Sequence, residues 1–241
     1  MLELSALPRP TVSVRTIDSL RGPAGRLEAL YSPGNAGAAH AVVLCHPHPL
    51  FGGTMHNKVV YHAMKVFQAA GFPVLRFNFR GAGLSEGTHD DGRGERDDVR
   101  AALDWLAQET ALPLIGAGFS FGAHMVFQAA CADARVAGLV GLGLPIAAGG
   151  REYSYEFLPA CSVPKLVIIG ANDAFAPRAR AEAALAPARD LELVWVPDAD
   201  HFFAGHLPLM QHALHTWLHT HFIAAPVSPR QACPSVPETS S

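Results

Sequence analysis

The chain has 241 residues, 49% hydrophobic and 16% charged, which is enough apolar material for a substantial one-domain core and too much for a chain disordered throughout. A formal net charge of −3 and a pI near 6.5 give no electrostatic pull toward nucleic acid or an anionic membrane, and no run of about 18 uninterrupted apolar residues is present to cross a bilayer. The expected partner is a small-molecule substrate, with nucleic acid and membrane excluded and the oligomeric state open.

The N-terminus has no basic region followed by a long apolar core. Cys45, Cys131, Cys161 and Cys233 are widely spaced, lack a C-x-x-C arrangement and mostly sit in apolar runs. They read as reduced packing residues, and the protein as soluble and cytoplasmic.

Residues 11–18 and 26–31 are short runs separated by a Gly- and Pro-bearing reversal at 20–25, which predicts an N-terminal antiparallel hairpin. Apolar strands are expected at 41–45, 73–79, 114–118, 136–144, 166–169 and 191–196, most of them continuous enough to be buried on both faces. Between them, Val60, Met64 and Phe67 recur at helical spacing before Gly71, and Val99, Leu103 and Leu106 do so behind Glu95, Asp97 and Asp98.

A last helix at 207–222 places Met210, Leu214, Trp217 and Leu218 on one face and turns His212, His215 and His219 to solvent. From Pro226 onward four prolines with Ser and Thr predict a disordered tail, 226–241, which leaves a single domain within 1–225. The alternation of strands and helices predicts an α/β fold: a mostly parallel central sheet with helices on both faces, extended at one edge by the N-terminal hairpin.

The most informative segment is 114–124. An apolar strand runs into Gly118-Phe-Ser-Phe-Gly122 and on into a helix of small residues, the strand, turn and helix of a nucleophile elbow. The turn would hold Ser120 in a strained conformation, and glycines at 118 and 122 would avoid collisions with the neighbouring strand and helix. Gly81-Ala-Gly-Leu-Ser-Glu-Gly87 lacks the ending of a phosphate-binding loop and the dinucleotide spacing, so it reads as the turn after strand 73–79.

A serine hydroxyl needs a histidine to take its proton and an acid to orient that histidine. Asp173 follows strand 166–169 and His201 follows strand 191–196, so both share one rim of a parallel sheet with the elbow, in the order Ser, Asp, His. An Asp in such a loop can also be a turn residue or cap. Asp198 and Asp200 stand too close to His201 in one tight loop to reach its far nitrogen and read as loop-shaping.

The developing oxyanion needs two donors. The N–H of Phe121, next after the nucleophile, is the first, and the second should come from loop 46–53, where Pro47 and Pro49 have no N–H. His48 is the first choice, through its backbone, and Leu50 the second. The competing use of His46 and His48 as metal ligands is disfavoured because no carboxylate or third histidine is matched to them nearby in sequence, and no metal is expected.

Together, His46-Pro-His-Pro-Leu-Phe-Gly-Gly-Thr-Met55, Arg76-Phe-Asn-Phe-Arg-Gly81 with Ser85-Glu-Gly87, Gly118-Phe-Ser-Phe-Gly122 and Asp200-His-Phe-Phe203 resemble predicted bacterial α/β-hydrolases related to dienelactone hydrolases and Xaa-Pro-peptidase-like serine hydrolases. The resemblance spans about 42–218. It implies the α/β-hydrolase fold, the triad Ser120, Asp173 and His201, and no cofactor, but no particular substrate. The usual His-Gly of the superfamily's oxyanion loop is His46-Pro47 here.

The reading that follows is a cofactor-independent serine hydrolase, with carboxylic ester hydrolysis ahead of peptidase or thioesterase action. Only about twenty residues separate Pro145 from Lys165, where larger relatives insert a lid, so little or no lid and small soluble esters are expected. Tyr153, Tyr155 and Phe157 in that segment could line the pocket or cover the core. A non-catalytic binding protein on a hydrolase scaffold is the alternative of another class, against which all three triad candidates stand intact.

Overall fold

Runs of Val, Leu, Ile, Ala and Gly form the central strands, and their two-sided burial sets the architecture. The computed structural model describes residues 13–223. In chain order the main sheet contains β1 (Arg15–Ile17), β2 (Ala29–Ser32), β3 (Ala41–Cys45), β4 (Val74–Phe77), β5 (Leu114–Phe119), β6 (Val136–Leu142), β7 (Lys165–Gly170) and β8 (Leu191–Val196). They are ordered β1-β2-β4-β3-β5-β6-β7-β8.

From β4 to β8 every pairing is parallel, and β3, β4, β5 and β7 are buried at every residue, as expected of strands covered on both faces. The N-terminal hairpin adds β1 and β2 antiparallel at one edge, pairing Thr16 with Leu30, and a second short ribbon, Arg21–Gly22 with Gly25–Arg26, forms its tip.

Period-two alternation divides the core. Val43 and Cys45 of β3 lie on the side of the sheet covered by helices α2 (Arg93–Thr110), α3 (Phe121–Ala130) and α4 (Arg178–Leu185), while Val42 and Leu44 lie on the side covered by α1 (Lys58–Ala69) and α5 (Leu207–Leu218). Asn57 caps α1 by accepting the Val59 N–H at 2.9 Å, and Gly71 closes the turn behind it at φ 82°. The Glu95 carboxylate reaches back to the Gly92 N–H at 2.8 Å and holds the start of α2.

Several boundaries differ from the sequence expectation for physical reasons. The strand expected at 73–79 ends at Phe77, because the Asn78 N–H turns to the Glu28 carbonyl and the Phe79 N–H to the His46 ring. The strand expected to reach 144 stops at Leu142, where Gly143 turns at φ 52°. The last α-helix ends at Leu218 and continues as a wider turn, His219–Ile223. His212, His215 and His219 are exposed as expected.

Helix α4 was not anticipated, since Arg178–Leu185 buries only Ala181 and Leu185 and offers little apolar periodicity. Residues 143–164 hold only a ribbon, Ala147–Ala148 with Arg151–Glu152, and the 3₁₀ turn Leu158–Ala160, so no helical lid stands there. Tyr153 and Tyr155 are buried, and the Tyr155 hydroxyl donates to the Pro145 carbonyl at 2.6 Å. The tail 226–241, with Cys233, lies outside the described residues; Cys45, Cys131 and Cys161 are free thiols.

Candidate active site

The turn between β5 and α3 puts Ser120 at φ 55°, ψ −124°, a conformation that costs an L-residue on the order of 1–3 kcal/mol and must be held by its surroundings. The surroundings are tight. A Cβ at Gly118 would stand 2.5 Å from the backbone of Gly122 in α3, and one at Gly122 would stand 2.3 Å from the His46 carbonyl at the end of β3. Both glycines of the motif are therefore demanded by close backbone approach, and the Ser120 N–H donates to the Leu142 carbonyl at 2.8 Å to fix the turn on β6.

The loops after β7 and β8 complete a hydrogen-bonded chain. His201 Nδ1 lies 2.7 Å from Asp173 Oδ2, and His201 Nε2 lies 2.9 Å from Ser120 Oγ. With the carboxylate accepting at Nδ1–H, Nε2 is left with a lone pair facing the hydroxyl. The second Asp173 oxygen accepts the Phe175 N–H at 2.8 Å, which orients the carboxylate. Asp173 and His201 are both buried.

Aromatic rings enclose the imidazole, with Phe175 at 4.5 Å, Phe119 at 5.0 Å and Phe202 at 5.1 Å between centroids. Asp200 instead accepts the N–H groups of Phe202 and Ala204, and Asp198 sits exposed in a turn at φ 57°, so neither competes with Asp173.

Loop 46–53 covers the start of α3. The Phe121 N–H, first in α3, has no intrahelical acceptor. Of the two residues expected to offer a second donor, the Leu50 N–H is directed at His48 Nδ1 at 3.3 Å, whereas the His48 N–H has no acceptor among the described residues. The His48 ring packs on Phe121, Phe51 and His89, and burial lowers its pKa.

His46 has another role. Its Nδ1 donates to the Pro47 carbonyl at 2.6 Å and its Nε2 accepts the Phe79 N–H at 2.9 Å, so the ring clamps the ends of β3 and β4 together. Burial pushes its pKa down to about 4, and with both nitrogens committed it has no lone pair for a metal shared with His48.

A cavity of about 520 Å³ opens over Ser120 and His201. Leu50, Phe51, Phe175 and Phe202 make much of its wall apolar, and His89, Arg151 and Tyr153 supply polar groups. Sequence reasoning missed Phe175, Phe202, His89 and Arg151. Phe175 and Phe202 stand next to motif residues, which was an available signal; His89 and Arg151 sit in segments with no periodicity or motif.

An eight-stranded, mostly parallel sheet with a serine elbow, an acid after β7 and a histidine after β8 is the α/β-hydrolase fold. Residues 38–209 match the family described as an alpha/beta hydrolase domain, and the chain belongs to that family. It is similar to an α/β serine hydrolase without a lid from Xanthomonas campestris, at 32% identity and TM-score 0.76 over 92% of this chain and 100% of that one. An α/β serine hydrolase homologue from Coxiella burnetii is 33% identical at TM-score 0.74, over 86% and 97% of the two chains.

An uncharacterised protein of Rickettsia prowazekii is 40% identical over 154 residues, which is 63% of this chain and 64% of that protein. The match thus spans just under two thirds of the length of this curated relative.

Proposed function

We propose that the protein is a serine hydrolase that works through an acyl-enzyme on Ser120 and acts as a carboxylesterase on small, soluble esters. The observation that carries this reading is the continuous chain Asp173–His201–Ser120, at 2.7 and 2.9 Å, opening into the apolar-walled cavity. His201 Nε2 takes the hydroxyl proton as Ser120 Oγ attacks the ester carbonyl carbon, while Asp173 stabilises the imidazolium that forms.

The tetrahedral oxyanion is received by the N–H groups of Phe121 and His48, each such donor being worth about 3 kcal/mol of barrier. Collapse expels the alcohol, which takes its proton from His201; water, deprotonated by the same imidazole, then frees the acid. Neither step calls on a cofactor.

Two observations support small esters: the short segment 143–164, and the similarity to a lidless relative. Among the described residues no helix is long and apolar enough to cross a membrane. We place the protein in the cytoplasm as a single domain within 1–225, its cysteines reduced.

The test is hydrolysis of p-nitrophenyl esters from acetate to palmitate by the wild type, Ser120→Ala and His201→Ala. Short-chain activity lost in both variants is the expected result. Labelling of Ser120 by a serine-reactive phosphonate without ester turnover would redirect the assignment to thioesters or peptides, and absence of both would return it to a binding scaffold.

A further inference from the structure

The cavity wall carries a cation with no counter-ion. Arg151 stands in the ribbon between β6 and β7 and lines the cavity over Ser120. Its Nη2 donates to the Asp91 backbone carbonyl at 2.7 Å, and its guanidinium carbon lies 5.4 Å from the centre of the Tyr153 ring. These two contacts fix the plane of the fork and use one hydrogen bond of its five N–H donors.

Carboxylates partner several of the exposed arginines, Arg15 with Glu109, Arg93 with Asp90, Arg135 with Asp104 and Asp133, Arg178 with Glu182 and Arg180 with Glu152, whereas Arg21 and Arg189 stand in solvent without an ion pair among the described residues. Arg151, in the cavity, pairs with none among the described residues. Of the acids of the adjoining segment, Glu95 is fully buried, accepts the Asp90 and Gly92 N–H groups and lies 2.9 Å from His89 Nδ1; Asp91 also lines the cavity, but its carboxylate is 82% exposed, 3.7 Å from His89 Nε2, and forms no ion pair with Arg151.

A guanidinium held flat in a wall that is largely apolar and aromatic is a receptor for a carboxylate, which it meets through two parallel N–H···O bonds. We propose that Arg151 recognises a carboxylate on the substrate, so that the preferred esters have an apolar body ending in an anionic group. The inference rests on the hydrolase reading above and narrows its substrate class.

Two matched pairs test it: p-nitrophenyl hexanoate against the p-nitrophenyl monoester of adipic acid, with the charge on the acyl side, and phenyl acetate against 4-carboxyphenyl acetate, with the charge on the alcohol side. The anionic-to-neutral ratio of kcat/KM in at least one pair is expected to fall tenfold or more in Arg151→Met and to be partly kept in Arg151→Lys. A purely structural latch on Asp91 would lower both members of each pair alike, and ratios unchanged in both pairs would overturn the proposal.

If the wild type hydrolyses none of the four, the hydrolase reading fails by itself. Calorimetric binding then decides the subsite: tighter binding of the adipate monoester than of the hexanoate, abolished in Arg151→Met, sustains it, and equal binding overturns it.

Discussion

Acid should destabilise this protein well before its carboxylates are protonated, because His46 and His124 are buried as neutral imidazoles. His46 is fully buried in the clamp between β3 and β4; His124, 4% exposed in α3, is packed edge-on against Tyr153 and Tyr155 with its Nδ1 unpartnered. Burial pushes their pKa values down to about 4 and about 3, against about 6.5 in an unfolded chain.

Between the two values the unfolded chain binds more protons than the folded one, so each histidine's contribution is complete above pH 6.5 and lost as the pH falls toward the folded value. At pH 5 the loss is about 2 kcal/mol per histidine, from roughly 1.5 pH units at 1.36 kcal/mol each. That figure hardly depends on whether the folded value is 3 or 4, since pH 5 lies above both. Two such groups remove a large share of an ordinary domain stability of roughly 5–15 kcal/mol.

The assay is urea unfolding of the wild type and His124→Leu at pH 7.5 and pH 5.0. Packing changes in the variant enter at both pH values and cancel, so its stability should drop by about 2 kcal/mol less than the wild type's. An equal drop in the two proteins would refute the assignment of His124 as a neutral buried base.

Other expectations follow from single contacts. Gly122→Ala drives a Cβ to 2.3 Å from the His46 carbonyl and should displace either the elbow or the oxyanion loop; ester turnover is expected to fall at least 100-fold with a lowered Tm, and a variant of normal kcat would contradict the steric account. Ser120→Gly should be more stable than Ser120→Ala by about 1 kcal/mol, because both lack the hydroxyl and only glycine adopts φ 55°, ψ −124° without strain; thermal melts of the inactive pair decide it. Asp98 is fully buried and accepts two hydrogen bonds from the Arg80 guanidinium, at 2.9 and 2.6 Å, so Asp98→Ala should cost about 3–5 kcal/mol in denaturant unfolding, and a cost under 1 kcal/mol would deny the pair its role.

What could be read from the sequence was what a single local rule governs. Two-sided burial leaves continuous apolar runs, and β3 was bounded correctly for that reason; β8, an edge strand that exposes Glu192, was bounded correctly from its remaining apolar residues. The elbow was legible because backbone crowding at 118 and 122 admits only glycine. Asp173 and His201 were legible because a parallel sheet brings the carboxyl ends of β7 and β8 to the rim that Ser120 occupies, whatever their separation along the chain.

The wall of the cavity obeys no such rule. Arg151, His89 and Phe51 come together because three loops fold over the carboxyl-end rim of the sheet, and Arg151 and His89 lie in segments whose residue types fit an ordinary turn. His46 shows the same limit: two residues from the candidate donor, in a motif rich in histidine, it was given no role beyond a disfavoured metal site, and only the Phe79 N–H, 33 positions away, reveals a clamp. Groups that must react are constrained by strand ends and backbone strain, and so leave a local trace in the sequence. Groups that only recognise need just be present and unpaired, which becomes visible when the neighbouring acids are placed one by one, as the buried Glu95 on His89 and the exposed Asp91 are around Arg151.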